Sequence, residues 1–321
     1  MTVLFCANRK KDEGLTKSLE IINFLKSKNI VVYGENELIK ELNKDYIFNL
    51  DSLYDLKDNI DFILILGGDG TILKYVYKYL YIDAPILAIN LGRVGAMTGA
   101  SLDDYQEKII EIINGKFYVE ERNVIECSFA NENITAYNDY HKIIDNKIKE
   151  ICLNDVVIHR TNIRKLLSIS LSVINSNSDR NNRIRFYADG VIIATTMGSS
   201  AYNLSCGGPL LLSGTNCFVV TPIAPQYKSM CSFVASDNEV LSIYVNNIDN
   251  NTDKFFITID GNRIYELSDS VIAINKSDKK VKYIKFNNKS SLFDPYIKVI
   301  SSNKLIDVKE DNNGLQEKWN S

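Results

Sequence analysis

Short apolar runs and amphipathic stretches alternate through the first third of the chain. Thr2–Ala7 is such a run; after Gly14, apolar side chains return at Leu15, Leu19, Ile22 and Leu25 with helical spacing, predicting strand, loop and helix. Ile30–Tyr33 is a second β-branched run, and Asp61–Leu66 (DFILIL) is the near-continuous apolar strand that a parallel sheet buries on both faces. Four turn residues follow, Gly67–Gly70, then helical periodicity over Thr71–Tyr81 through Ile72, Val76 and Leu80, and after Pro85 the run Ile86–Ile89. This alternation predicts an α/β layer with crossover helices.

Near residue 118 the texture changes. Short apolar or alternating segments recur at Val124–Phe129, Ile151–His159, Leu166–Ile174, Ile184–Tyr187, Gly190–Thr195, Cys217–Thr221, Val240–Val245 and Phe255–Ile259, with a helical turn expected at Ser200–Ser205. They predict a β-rich second domain. The division reads as 1–117 for the α/β domain, 118–300 for the β-rich domain and 301–321 for a polar tail. Asn131–Glu150 and Asn175–Asn182 read as polar surface insertions.

Composition narrows the class. With 321 residues, 45% hydrophobic and 24% charged, the chain is long enough for two cored domains. Its net charge of −3 comes from 37 basic and 40 acidic residues interspersed along the sequence, with no basic stripe for nucleic acid. The six cysteines contain no CxxC pair and only His141 and His159 could join them, so free thiols are expected rather than a zinc site. No apolar stretch approaches the roughly 20 residues that cross a bilayer, and no export signal precedes Asp12 and Glu13. A cytoplasmic protein without membrane attachment is the expectation.

Four blocks carry chemistry. In Gly67-Gly68-Asp69-Gly70-Thr71, glycines let backbone N–H groups approach an anion, and the following helix N-terminus adds partial positive charge. A carboxylate there makes sense as a proton acceptor, a hydroxyl ligand or a partner to a phosphate-bound cation; alternatively Asp69 simply caps the helix. The turn lacks the Lys-Ser/Thr end of a Walker loop and the spacing of a Rossmann fingerprint. Its phosphate-contact set is Gly67, Gly68, Gly70 and Thr71, with Lys74 farther along the helix. The second block, Asn90–Gly99, follows another parallel strand; Arg93 within it either contacts phosphate or belongs to a plain connection. The third sets Asn154 and Asp155 at the head of a β-branched strand, either as complementary partners for ribose and adenine or as an ordinary turn. The fourth runs from Asp189 to Pro209 through a hydroxyl-rich turn, with Tyr202 able to pack on a ring.

Together, in this order, the blocks resemble NAD kinases. That family carries a GGDGT turn, an NLGxxGFLT loop, an NE/D-VV strand, a DG-apolar-STPTGSTAYxLSxGGP segment, a PIxPH stretch and a late DG. Here the last two are Pro222-Ile223-Ala224-Pro225-Gln226 and Asp260-Gly261-Asn262. The resemblance spans Leu64 to Asn262. It implies an α/β + β fold: an N-terminal α/β Rossmann-like domain and a C-terminal all-β, β-sandwich-like domain, assembled as a homodimer or homotetramer.

It further implies phosphorylation of the 2′-hydroxyl of the adenosine ribose of NAD by ATP with Mg²⁺, giving NADP. Asp69 is the implied proton acceptor, with Gly70 beside the bound NAD. Asn154 and Asp155 contact adenosine, and Asp189 lines the dinucleotide pocket. Ser200, Ala201, Tyr202, Asn203, Leu204 and Ser205 cover its ends, with Ala224 and Asn262 at the rim. The chain departs from the family at Ala96 for Phe, Thr196-Met197 for Pro-Thr, Ser200 for Thr and Gln226 for His. These touch selectivity, and the residues leave ATP or polyphosphate, and NAD or NADH, open. The competing readings are a lipid or sugar kinase sharing the GGDG turn, and an NAD-binding module with weak catalysis.

Overall fold

The computed structural model describes residues 1–52, 59–92, 97–130, 147–174, 182–246, 254–268 and 270–286. Arg93, Ala96, most of both expected insertions and the 301–321 tail lie outside the described residues.

The first part is built from β1 (Thr2–Ala7), α1 (Thr16–Ser27), β2 (Val31–Gly34), α2 (Asn36–Leu42), β3 (Ile47–Asn49), β4 (Phe62–Leu66), α3 (Asp69–Tyr79), β5 (Ile86–Asn90), β6 (Ala100–Ser101) and α4 (Tyr105–Ile113). Strands β3, β2, β1, β4 and β5 lie side by side in that order, all parallel. Apolar residues of α1 and α4 (Ile21, Ile22, Leu25, Ile109, Ile112) cover one face, and those of α3 (Ile72, Leu73, Val76) cover the other. Both faces of the central strands are therefore dry, as their unbroken apolar runs require. This is the Rossmann-like half.

The remainder comprises β7 (Tyr118–Ala130), β8 (Lys147–Cys152), β9 (Asp155–Arg160), β10 (Leu167–Ile174), β11 (Asn182–Ala188), β12 (Gly190–Ala194), α5 (Tyr202–Ser205), β13 (Cys217–Ile223), β14 (Phe233–Ser236), β15 (Val240–Asn246), β16 (Phe255–Ile259), β17 (Arg263–Leu267) and β18 (Ser270–Lys285). One sheet runs β14-β13-β12-β9-β16-β17. It faces β7, β8, β10, β11, β15 and β18 across a core that includes Ile125, Phe129, Ile158, Leu171, Val191, Val220, Ile243, Phe255 and Ile272. Alternate residues of facing sheets enclose one apolar layer, which makes the second half a β-sandwich.

Two features depart from the sequence reading. The run Ile151–His159 is two strands, β8 and β9, which break at Leu153-Asn154 and enter different sheets. Strand β18 is 16 residues long and serves both halves: Ile272 and Ile274 enter the sandwich core, whereas Tyr283 pairs with Ile86 of β5, and Ile284 and Phe286 pack among α1 and α4. Among the described residues no helix is long and apolar enough to cross a membrane.

Candidate active site at the seam of the two halves

The glycine-rich turn sits where β4 becomes α3, beside the end of β1, so it occupies the carboxyl edge of the parallel sheet, where open α/β folds take up ligands. Gly68 is the N-cap of α3 in an extended conformation (φ −101°, ψ −178°), and its carbonyl accepts the N–H groups of Thr71 (2.8 Å) and Ile72 (3.0 Å). Asp69 is thus the first helical residue and not the cap, which removes the capping alternative. Its Oδ1 receives a long contact from the Met97 N–H at 3.4 Å. Gly67 is required by crowding: a β-carbon there would stand 2.6 Å from Cβ of Thr71. The Thr71 hydroxyl accepts from Asn8 Nδ2 at 2.8 Å, which ties the turn to the end of β1. Lys11, from the same β1 loop, brings its Nζ to 3.8 Å from the position of a Gly68 β-carbon. Neither Asn8 nor Lys11 stood out in the sequence, although Asn8-Arg9-Lys10-Lys11 directly after a parallel strand was a signal for it.

The opposing wall comes from the sandwich. Asp155 pairs with Ala194 in register, so the head of β9 and the tail of β12 meet at one edge. There the Thr195 N–H donates to the Asn154 carbonyl (2.8 Å), the Thr195 hydroxyl donates to the Leu153 carbonyl (2.6 Å) and accepts from the Gly198 N–H (2.9 Å). Gly198–Ser200 forms a 3-10 turn that leads into α5. Ser200 keeps its hydroxyl on the Met197 carbonyl at 3.2 Å, and Tyr202 is half exposed.

Asp260 organises this edge. Its carboxylate accepts N–H groups of three consecutive residues, Leu153 (2.9 Å), Asn154 (2.6 Å) and Asp155 (3.1 Å), and the Cys152 thiol at 3.2 Å. Burial raises its pKa, and the three backbone donors pull the other way. Successive N–H groups converging on one carboxylate form an internal anion nest. The sequence marked the Asp260-Gly261 pair only through resemblance, because its partners lie more than 100 residues away.

Asp155 is only 5% exposed, and burial alone pushes its carboxyl up to about 6. The Tyr202 phenol is also raised, first by its own burial, then by Cys206 and by the Asp155 charge, so the two side chains sense each other.

The halves meet through Met97, Leu153 and Tyr283, buried in one cluster with Met197 packed against them. Burial pushes the Tyr283 phenol up; Arg122 opposes this, and Asp69 and Asp260 both add to it. The base of the turn and the head of β9 thus border one buried contact.

The site residues do not all converge. Asn154, Asp155, Ser200, Ala201 and Tyr202 gather at this edge of the sandwich, with Asn262 in the turn that follows Asp260, and the Met97–Leu153–Tyr283 contact joins the edge to the half that carries Asp69. Asp189 stands at the other end of β12, about 20 Å of extended chain away, where its carboxylate pairs with Arg160 at 3.0 Å. Ala224 is beside it, since the Asp189 N–H donates to the Ile223 carbonyl, and Ala224 holds a positive φ of 43°. Asn203 differs from expectation. It is fully buried, its amide donates to the carbonyls of Ser199 (2.9 Å) and Pro209 (3.0 Å), and its oxygen accepts the Thr221 hydroxyl (2.7 Å), so it braces the segment from behind. Lys74 is exposed on α3, with its ammonium 5.0 Å from the Tyr75 ring.

A glycine turn at a parallel-sheet edge and a hydroxyl-rich turn at the edge of a sandwich thus flank the seam of a two-domain fold, and the comparisons with known proteins make that fold a kinase's. The profile of the ATP-NAD kinase N-terminal domain matches residues 3–117, and that of the C-terminal domain matches residues 153–286. Similar curated proteins include the NAD kinases of Protochlamydia amoebophila (36% identical, 70% of this chain and 72% of that one) and Clostridium perfringens (31% identical, 85% and 90%). Among solved structures, an NAD kinase from Archaeoglobus fulgidus in complex with ATP superposes with a TM-score of 0.65 at 23% identity, covering 94% of this chain and 99% of that one. Yeast NADH kinase complexed with NADH gives 0.75 at 18% identity, with 98% and 90% covered. This chain belongs to the ATP-NAD kinase family.

Proposed function

We propose that the protein phosphorylates the 2′-hydroxyl of the adenosine ribose of NAD with ATP as donor. The observation that carries this reading is the placement of Asp69 at the first turn of α3, in contact with the N–H of Met97, which is buried in one cluster with Leu153 next to Asn154-Asp155. The wall binds the adenosine end of NAD through Asn154, Asp155 and Asn262, with Tyr202 and Ala201 against the ring. The turn binds ATP phosphates through the backbone of Gly67–Gly70, aided by the helix N-terminus and Lys11. Asp69 orients the 2′-hydroxyl and takes its proton as the oxygen attacks the γ-phosphorus and ADP leaves. Because phosphoryl transfer rests chiefly on positioning and charge neutralisation, a rigid turn and a rigid wall suffice for most of the work.

Mg²⁺ brought in on the ATP phosphates supplies charge neutralisation. Among the described residues no three His, Cys, Asp or Glu side chains come together as a metal cage, and Asp69 is the carboxylate the turn offers. The cysteines are free, and Cys6, Cys127, Cys152 and Cys217 are buried, which supports a reducing, cytoplasmic setting. The separation of Asp189 and Ala224 from the other site residues supports a homo-oligomer, in which they complete the site of a neighbouring copy.

The test is formation of NADP from NAD and ATP with Mg²⁺, repeated with polyphosphate as donor and NADH as acceptor. Asp69→Asn is expected to lower kcat by roughly 10²- to 10⁴-fold while leaving NAD affinity nearly intact. A folded Asp69→Asn protein with normal turnover would remove Asp69 from this role. Absence of NADP with every donor would remove the reaction.

A further inference from the structure

Tyr77 lies eight residues beyond Asp69 on α3, about 12 Å along the helix axis. Its hydroxyl accepts the Leu153 N–H at 3.1 Å, and the same N–H also reaches Asp260 Oδ2 at 2.9 Å. The Arg263 guanidinium stands over the Tyr77 ring, 4.2 Å from its centre. Arg263 in turn donates to the Ile151 carbonyl at 2.5 Å, pairs with Glu150, and lies 4.0 Å from Asp260. One aromatic side chain of the Asp69 helix therefore touches both the segment entering Asn154–Asp155 and the turn that carries Asp260.

The geometry points to Tyr77 as a positioning residue that sets the separation between the Asp69 carboxylate and the Asn154–Asp155 loop. The inference rests on the assignment of those residues to base and acceptor site. Within the sandwich, Asp260 and Thr195 hold the loop; between the halves, the apolar contacts around Met97 and Met197 are non-directional, and the β18–β5 pairing at Tyr283 does not involve the Asp69 helix. The Tyr77 hydrogen bond and the stacked Arg263 give the Asp69 helix its own directional contact with the loop. Tyr77 acts on alignment and not on the shape of the NAD wall.

Two variants of the full-length protein separate these functions. Tyr77→Phe removes the hydroxyl but keeps the ring under Arg263, and the Leu153 N–H retains Asp260 as acceptor. The expected result is a kcat roughly five- to tenfold lower, since ångström-scale misplacement is expensive in this chemistry, with the NAD dissociation constant within about twofold of wild type and little change in thermal midpoint. Asp260→Asn, which loosens the loop itself, is expected to weaken NAD binding. A wild-type kcat in Tyr77→Phe would overturn the inference. So would a parallel fall in kcat, NAD affinity and midpoint, which describes a packing residue. If Asp69→Asn, assayed alongside, keeps normal turnover, the site assignment itself fails and the inference falls with it; a defective Asp69→Asn beside a normal Tyr77→Phe removes Tyr77 alone.

Discussion

The carbonyl oxygen of Asn154 lies 1.9 Å from the point a β-carbon on Gly198 would occupy. The Gly198 turn is laid directly on the Asn154 backbone, so this packing holds only while residue 198 has no side chain. Gly198→Ala drives a methyl into main chain that cannot rotate away. The expected loss is about 1–3 kcal/mol of stability, with NAD binding weakened more than ATP binding as the turn lifts from the loop. Denaturant melts and paired titrations with the two nucleotides check it. Full stability together with native NAD affinity would show that the wall is softer than its packing indicates.

Asp155 makes a signed prediction about pH. Its folded-state carboxyl is raised from 3.8 to about 6, so the folded protein binds the extra proton between those values. Its contribution to stability is therefore greatest at low pH and declines as pH rises through 6. The full shift corresponds to roughly 3 kcal/mol. Asp155→Asn, neutral throughout, should gain up to that amount over wild type at pH 8, and the advantage should fade toward pH 4. Thermal midpoints of both proteins across this range test the sign; an advantage independent of pH would remove Asp155 as its source.

Lys11 predicts a charge effect confined to the donor. Its ammonium is exposed and beside Gly68, so Lys11→Ala should raise KM for ATP roughly two- to fivefold, less at high salt, and leave KM for NAD alone. Initial rates at two ionic strengths suffice. An equal change in both KM values would place Lys11 outside the phosphate site.

Asp189 predicts complementation between subunits. If it serves a neighbouring copy, Asp69→Asn and Asp189→Asn proteins, each inactive, should recover activity after co-refolding, because a mixed dimer holds one site with both residues intact. Random mixing gives about a quarter of native activity. No recovery, with mixed oligomers demonstrated, would confine Asp189 to its ion pair with Arg160.

What the sequence disclosed and concealed follows from the range of the interactions. The β4-turn-α3 unit was legible because apolar run, glycines and helical periodicity are all local, and so was the turn before α5. Helix α4 carries Tyr105, Ile109 and Ile112 at helical spacing in too short a stretch to stand out, and β18 is masked because its apolar ends flank Lys276–Lys280, which reads as a break. Ile151–His159 looked like one strand since nothing local says that a chain changes sheet at Leu153-Asn154. Nor does any spacing reveal that Asp260 would collect the N–H groups of residues 153–155, or that Asp189 and Asn154 stand at opposite ends of paired strands. Those facts reside in nonlocal pairing, which resemblance could name but periodicity could not.

The last described strand sets a timetable for the first domain. Tyr283, Ile284 and Phe286 close the β5 side of the Rossmann-like layer and fill gaps beside α1 and α4, yet they are synthesised after nearly everything else. A nascent chain that has already made the glycine turn still lacks part of the wall behind it. The Rossmann-like half becomes whole only when the sandwich strands have been made and β18 returns to β5, so the first half depends on the second for the last part of its own packing.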